Sequence, residues 1–287
     1  MKILVTGASG FIGSHVVKRL LSLGHEVVAT ARNQEKIRTF DWADKIRFIQ
    51  SDLNEAKDNY FDFFENPDIC IHLAWEGLPD YKSLFHIERN LPANYAFIKN
   101  MLANGLKDIT VTGTCFEYGM QNGPLSENML TIPNTPYSLA KDTLRKFIEQ
   151  LKKTMEFNFK WVRLFYLYGE GQSSRSLFSQ LAAALKNGDE VFNMSGGEQL
   201  RDYLSVDEVA SGIVKTALQK KVTGIINCCS GKPVSVRKLV DDYIAASGRS
   251  IRLNPGYYPY ADYEPMAFWG EHKKIDSIEN SNLTGSI

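Results

Sequence analysis

The chain has 287 residues, with 33 Lys and Arg against 33 Asp and Glu, so its formal net charge is zero. That balance argues against a broad basic surface for nucleic acid and against a polybasic membrane anchor, and the length suffices for a buried core without disulfides or a structural metal. Hydrophobic residues at 44% and charged residues at 23% describe an ordinary globular protein, one large α/β domain or two modest lobes.

In chain order, Ile3-Leu4-Val5 predicts a buried strand, followed by glycines at 7, 10 and 13. Apolar residues from Ile12 to Leu23 recur at helical spacing, and Gly24 suits the C-terminal cap. Further strands are expected at Glu26–Thr30, Arg47–Gln50, Asp68–Ala74 and Asp108–Gly113, with a long helix over Ile87–Leu102 between the last two. A helix over Tyr137–Met155 then precedes a strand at Phe159–Leu164. Strands alternating with helices imply right-handed crossovers and a doubly wound parallel sheet, a Rossmann-like α/β fold. Past Tyr168 the pattern loosens into helices at Leu177–Asn187, Val206–Leu218 and Ser235–Ala246, with short strands at Ile225–Asn227 and Ile251–Leu253. The expected organisation is a dinucleotide-binding domain over residues 1–168, with strands interleaved from later segments, and a small substrate lobe over 169–287.

Four cysteines, Cys70, Cys115, Cys228 and Cys229, form no CxxC pair, which points to a reducing compartment. The opening MKILVTGASG enters a glycine turn at once, where a signal peptide needs a longer apolar run. No apolar run reaches the roughly 18 residues of a membrane span. A cytoplasmic location is therefore expected. The five histidines show no metal-ligand spacing; His72 reads as strand packing and the others as surface, so no metal is expected.

The segment Thr6 to Gly13 follows a strand and opens a helix. Glycines there permit a tight turn and close approach to a pyrophosphate, while the helix N-terminus offers free N–H groups and a positive dipole end. Gly7, Ser9, Gly10, Phe11, Ile12 and Gly13 are thus candidate dinucleotide contacts. After the second strand an acid would favour NAD by binding the adenosine ribose; here Arg32 stands instead and favours the 2′-phosphate of NADP. Asp52 and Leu53, after the third strand, suit the adenine, and Leu73 with Ala74, ending the fourth, the middle of the cofactor. Tyr137 and Lys141 stand four apart behind an Asn-Thr-Pro helix start, so they share one helical face. A lysine ammonium beside a phenol stabilises the phenolate and lowers its pKa.

With these residues in place, the chain resembles the extended short-chain dehydrogenase/reductase family in its nucleotide-sugar branch. The resemblance is carried in order by TGASGFIG (Thr6–Gly13), HLAW (His72–Trp75), TGTCFEYG (Thr112–Gly119), YSLAK (Tyr137–Lys141), RLFYLYGEGQ (Arg163–Gln172) and RDYLSVDEVA (Arg201–Ala210). It implies a catalytic set of Thr114, Tyr137 and Lys141, with Lys141 also holding the nicotinamide ribose and Tyr166 on the cofactor side. It implies that Arg201 grips a sugar nucleotide's diphosphate; an ion pair with Asp202 or Asp207 is its alternative. Trp75, Cys115 and Glu117 are the further substrate-side candidates, although Cys115 also reads as an apolar filler and Glu117 as structural, on the far side of an extended strand.

Relatives that dehydrate carry Thr-Asp-Glu, whose acids move protons during water loss. Cys115 and Phe116 occupy those two positions here, which disfavours dehydration. The shortness of the chain, HLAWEG and the TCFEYG motif look like NADPH-dependent 4-ketoreductases acting on dTDP- or CDP-linked 4-keto-6-deoxyhexoses, with NAD as the other cofactor. An NAD-retaining 4-epimerase is the alternative, and a non-catalytic NADP(H) sensor is disfavoured by the presence of both Tyr137 and Lys141. A nucleotide sugar is the expected partner. A homodimer through the helices around Ile87–Leu102 and Tyr137–Met155 is expected by resemblance.

Overall fold

Short β-branched runs buried on both faces pair in parallel, and the computed structural model, which describes residues 1–281, places seven of them in one sheet. The strands in chain order are β1 (Lys2–Thr6), β2 (Glu26–Ala31), β3 (Arg47–Gln50), β4 (Ile69–His72), β5 (Asp108–Thr114), β6 (Gly123–Leu125), β7 (Asn158–Leu164), β8 (Tyr166–Tyr168), β9 (Val191–Asn193), β10 (Leu200–Ser205), β11 (Gly224–Cys228), β12 (Pro233–Ser235), β13 (Arg252–Asn254) and β14 (Phe268–Gly270). The helices are α1 (Phe11–Ser22), α2 (Gln34–Arg38), α3 (Tyr60–Phe63), α4 (Leu91–Ala103), α5 (Pro136–Leu151), α6 (Leu177–Asn187), α7 (Val206–Leu218), α8 (Val236–Ser247) and α9 (Lys273–Ser281).

The main sheet runs β11-β7-β5-β4-β1-β2-β3, and every pairing in it is parallel. It is Rossmann-like. One face packs on α1, α7 and α9 through Val16, Leu20, Val209, Ile213 and Ile275; the other packs on α4 and α5 through Phe97, Met101, Leu144 and Ile148. The strand order reverses at β1, which neighbours β2 on one side and β4 on the other. Such a reversal opens a crevice beyond the carboxyl ends of the strands, where ligands of doubly wound sheets bind.

Two elements differ from expectation. The segment Ile225–Asn227, read as part of the small lobe, is β11, the edge strand of the main sheet beside β7. Ile226 and Cys228 join the apolar cluster on one face and Ile225 packs on the other, a two-faced burial that only a covered sheet supplies. The helix expected from Ile87 begins as a π-turn over His86–Asn90 and becomes α-helical at Leu91, with Pro92 in its first turn. The π-turn matters because His86 and Asn90 face the site.

The smaller lobe is built from α6, α8 and three short sheets, β12-β10-β8, β13-β9 and β14-β6. Its core is a separate apolar cluster of Leu181, Leu185, Phe192, Met194 and Val240. No helix of the described residues is long and apolar enough to cross a membrane.

Candidate active site

Two cavities open near the carboxyl ends of the sheet. The first, about 230 Å³, is lined by Gly7, Ser9 and Gly10 after β1, by Thr30 to Arg32 at the end of β2, by Ser51 to Asn54 after β3, and by Leu73 to Glu76 after β4. The π-turn and α4 close it with Asn90, Ala93 and Asn94. Gly7 has φ +69°, and a Cβ there would stand 2.9 Å from the Ala74 amide nitrogen. A Cβ on Gly13 would stand 2.1 Å from the Gly7 carbonyl oxygen, so the first turn of α1 abuts the loop as only a bare backbone allows. The helix N-cap is Gly10, with no side-chain cap and no acid in the first turn. Its free amides and dipole end therefore suit an anion. These features fit the pyrophosphate of a dinucleotide. Phe11 lies edge-on to His15 and Ile12 packs into the core, so neither lines this cavity.

A buried polar chain fixes the floor. The Thr6 hydroxyl donates to His72 Nδ1 (2.8 Å) and accepts from the amides of Leu73 (3.1 Å) and Ala74 (3.2 Å). His72 Nε2 donates to Asn94 Oδ1 (2.6 Å), and Asn94 Nδ2 donates to the Asn90 carbonyl (2.6 Å). Burial pushes His72 down to about 3, so the ring is neutral and its tautomer is set by these partners. Asn90 and Asn94 carry no sequence signal as site residues, because His72 and the Glu76 carbonyl, which they bond, lie far off in the chain.

Arg32 lines the first cavity, and its guanidinium is paired with the Glu76 carboxylate from the loop after β4. This pairing qualifies the reading of Arg32 as a free receptor for a 2′-phosphate: the cation already faces an anion from the same cavity wall.

The catalytic candidates Tyr137 and Lys141 stand against Trp75, which lines this cavity. Thr135 caps α5 through Ser138 in a reciprocal capping box with Pro136 in the first turn, which starts the helix where the sequence predicts. Tyr137 and Lys141 lie on the buried face of α5 at 7% and 3% exposure. The phenol packs against Trp75, Tyr81 and His86, with ring centroids 6.1, 5.3 and 5.3 Å away. Burial, with Tyr81 nearby, pushes Tyr137 well above the usual phenol range, opposed by a hydrogen bond with Thr114. The phenol is thus held protonated, which corrects the expectation that Lys141 lowers its pKa: burial sets the direction. Lys141 Nζ donates to the Thr112 carbonyl (2.9 Å) and lies 4.0 Å from the centre of the Trp75 ring. Burial pushes it down to about 7, with the Glu117 charge pulling the other way.

Several sequence readings are corrected here. His86 is fully buried, not on the surface; Trp75 Nε1 and Asn90 Nδ2 both donate to its Nδ1 (3.1 Å each), and its Nε2 donates to the Asp80 carbonyl (2.8 Å). Trp75, taken for the substrate side, lines the first cavity and covers Lys141. Glu117 does not extend a strand, because β5 ends at Thr114 and the chain enters a 3₁₀ turn over Cys115–Tyr118. The side chain is fully buried, bonded to Arg163 Nε (2.7 Å), Trp161 Nε1 (2.9 Å) and the Thr114 amide (2.9 Å), so it points into the protein and away from any substrate. Cys115 is a buried thiol, pushed up by burial, among Phe116, Tyr137 and Phe165.

The second cavity, about 470 Å³, lies in the smaller lobe and is lined by Tyr166, Arg175, Gln180, Asn193, Arg201, Tyr203, Tyr258 and Glu264 among others. Tyr166, expected on the cofactor side, stands here beside Arg201 instead. Arg201 Nη2 donates to Glu264 (2.9 Å) and Nη1 to the carbonyls of Leu200 (2.9 Å) and Met266 (3.2 Å), with the guanidinium 4.6 Å from the Phe268 ring centre. Its anionic partner is Glu264, and neither Asp202 nor Asp207. Asp202 binds the amides of Ser230 and Gly231, while Asp207 pairs with His15. A buried, forked guanidinium in a cavity suits phosphate oxygens. Glu264 carries no sequence signal as a site residue because its segment reads as a Tyr- and Pro-rich loop without periodicity. Among the described residues no group of His, Cys, Asp and Glu has the arrangement of a metal site.

Comparison with known proteins agrees with this architecture. A family model described as the NAD dependent epimerase/dehydratase family matches residues 3–229. A dTDP-6-deoxy-L-talose 4-dehydrogenase (NAD(+)) of Aggregatibacter actinomycetemcomitans is 32% identical over 94% of this chain and 99% of its own length. UDP-arabinose 4-epimerase 1 of Arabidopsis thaliana is 27% identical over 99% of this chain and 77% of its own. Among solved structures, MoeE5 in complex with UDP-glucuronic acid and NAD superposes with a TM-score of 0.82, at 26% identity, over 97% of this chain and 92% of that one.

Proposed function

The chain belongs to the NAD dependent epimerase/dehydratase family, whose members similar to it act on nucleotide sugars, and from that premise we propose that it reduces the C4 ketone of a nucleotide-linked 4-keto-6-deoxyhexose. The observation that supports this reading is the grouping of Tyr137 with Thr114, and of Tyr137 and Lys141 against Trp75, a wall of the cavity behind the glycine turn. The relative with a dTDP-6-deoxyhexose in its name is a 4-dehydrogenase, and ketone reduction is the same C4 redox step run backwards.

When bound, the dihydronicotinamide supplies the hydride. Tyr137, which burial keeps protonated and so available as a donor, gives its Oη proton to the oxygen developing at C4. Thr114 hydrogen-bonds the same phenol and orients the substrate oxygen beside it. Lys141, beneath the Trp75 indole, supplies positive charge as the alkoxide forms. Dehydration lacks its acids: Phe116 sits edge-on to Tyr81 and Tyr263, and Glu117 is bonded inward to Arg163. Arg201 holds the diphosphate, which leaves the sugar between the two cavities.

The cofactor reading turns on Arg32. Because Glu76 neutralises it and stands in the same wall, a 2′-phosphate must displace a carboxylate to reach it, and we read NAD(H) as at least as good a cofactor as NADP(H). Glu76→Gln frees the guanidinium and is expected to raise kcat/KM for NADPH relative to NADH by roughly tenfold, on the scale of one surface ion pair at close range. An unchanged ratio in steady-state kinetics would remove Arg32 from cofactor choice. The working unit is read as a homodimer through α4 and α5, the latter carrying the exposed Leu139 and Phe147.

The direct test is to follow NADH and NADPH oxidation with dTDP-, CDP-, GDP- and UDP-linked 4-keto-6-deoxyhexoses, with NMR of the product. Stoichiometric oxidation with at least one of them is expected. If none is turned over while a 4-hydroxy nucleotide sugar is epimerised without added reductant, the enzyme is a 4-epimerase.

A further inference from the structure

We propose that Glu117 is a positioning residue for the C4 chemistry, its buried carboxylate fixing the backbone at Thr114 while its negative charge faces Lys141; the proposal rests on the catalytic roles given above to Thr114, Tyr137 and Lys141. Three donors converge on this carboxylate: the Thr114 amide at 2.9 Å, the Trp161 indole at 2.9 Å and Arg163 Nε at 2.7 Å. Glu117 and Arg163 are both fully buried, so the pair is desolvated on both sides. A buried pair of this kind adds little net stability over apolar residues, and its retention needs another reason. The reason is its place in the chain. Thr114 is the last residue of β5 and starts the 3₁₀ turn, with Glu117 returning to its amide as the third residue of the capping box. The Phe116 amide bonds the Thr114 hydroxyl from within the turn, and the Glu117 carboxylate is the side chain that ties the Thr114 amide to the buried Arg163 and Trp161.

The same strand end links the carboxylate to the lysine. Lys141 Nζ is bonded to the Thr112 carbonyl, two residues before the amide that Glu117 holds. The charged and titratable groups facing Lys141 are Glu117 from the 3₁₀ turn, His72 from β4, His86 from the π-turn and Tyr137 on its own helix. Burial keeps His72 and His86 below the usual imidazole range, and Tyr137 is held as the neutral phenol. Glu117 is therefore the anion in this set. Around Glu117 itself stand the cations Arg163 and, 3.9 Å away, Arg145, which is also paired with Asp142 and Glu149. Removing the carboxylate leaves both arginines in place and exposes Lys141 to their unopposed charge. The ammonium then loses its proton more easily.

The test uses the full chain labelled with ¹³C at lysine Cε, with the Lys141 resonance assigned by its loss in Lys141→Arg. In the wild-type protein it should titrate near 7. In Glu117→Gln the midpoint should fall by roughly 0.5 to 1 pH unit, and kcat by roughly 10- to 100-fold with KM values within about twofold. Glu117→Asp keeps the charge but draws it back from the Thr114 amide, so the lysine midpoint should stay while kcat falls. A folded Glu117→Gln in which either the midpoint or kcat matches wild type overturns the proposal. If Glu117→Gln does not fold, Glu117→Asp decides alone, and wild-type kcat in it overturns the proposal. The lysine titration needs no turnover, so it separates this inference from the reaction: wild-type activity in Tyr137→Phe would sink the catalytic reading and leave the midpoint shift standing.

Discussion

Tyr137→Phe is expected to lower kcat by about 10²- to 10⁴-fold, the range for loss of a positioned general acid, and to leave dinucleotide binding within about twofold. The substitution removes one oxygen and keeps the ring, which packs edge-on to Trp75 and His86 and beside Tyr81. The apolar cluster and α5 are thus undisturbed, and no hydrogen bond from the phenol supports the dinucleotide cavity. The loss should fall on kcat and kcat/KM alike, because the proton moves only as the C4 oxygen gains charge. Equilibrium titration with NADH by fluorescence, set beside single-turnover rates, separates the two effects. Retention of full kcat would remove Tyr137 from the chemistry.

The second large effect belongs to the other cavity. Arg201→Met is expected to raise KM for the nucleotide sugar by roughly 100-fold while kcat at saturation and dinucleotide affinity stay within about twofold, on the scale of losing one partner of a buried charge pair. Methionine keeps the stem against Phe268 and Tyr166 but removes the fork and leaves Glu264 facing the cavity without its cation. An uncompensated carboxylate there repels a diphosphate, so the substitution acts twice on the same ligand. Were Arg201 only a strut between Leu200, Met266 and Glu264, the melting temperature would drop and KM would not move. Steady-state kinetics with a parallel melting curve distinguish the two. Tyr137 and Arg201 should thus split kcat from KM.

The parts of this site that could be read from the sequence are those specified by neighbours in the chain. The glycine turn declares itself because Gly7 and Gly13 answer local demands of backbone and space, and α5 because Thr135, Pro136 and Ser138 encode a helix start within four residues. Tyr137 and Lys141 inherit their shared face from that helix. What escaped reading depends on partners far along the chain. Arg32 meets Glu76, Arg201 meets Glu264, and Glu117 meets Arg163, separations that no periodicity reveals. His86 looked like surface because a π-turn shifts its face by one position relative to a regular helix, which brings the ring under Trp75 and beside Tyr137. Glu117 was misplaced for a similar reason, since an unbroken strand was assumed where the chain turns after Thr114. Even the neutral net charge hides this arrangement, in which each of the two cavities carries an arginine already matched to a carboxylate.

The most direct measurement is the fate of deuterium supplied at both C4 positions of the dihydronicotinamide in solution, followed by NMR of the nucleotide sugar formed from its 4-keto-6-deoxy precursor. We expect one deuterium at C4 of the released sugar per cofactor consumed, carried by a nicotinamide that exchanges every turnover. A C4 epimer that accumulates without deuterium, over a cofactor that never leaves the protein, would contradict it.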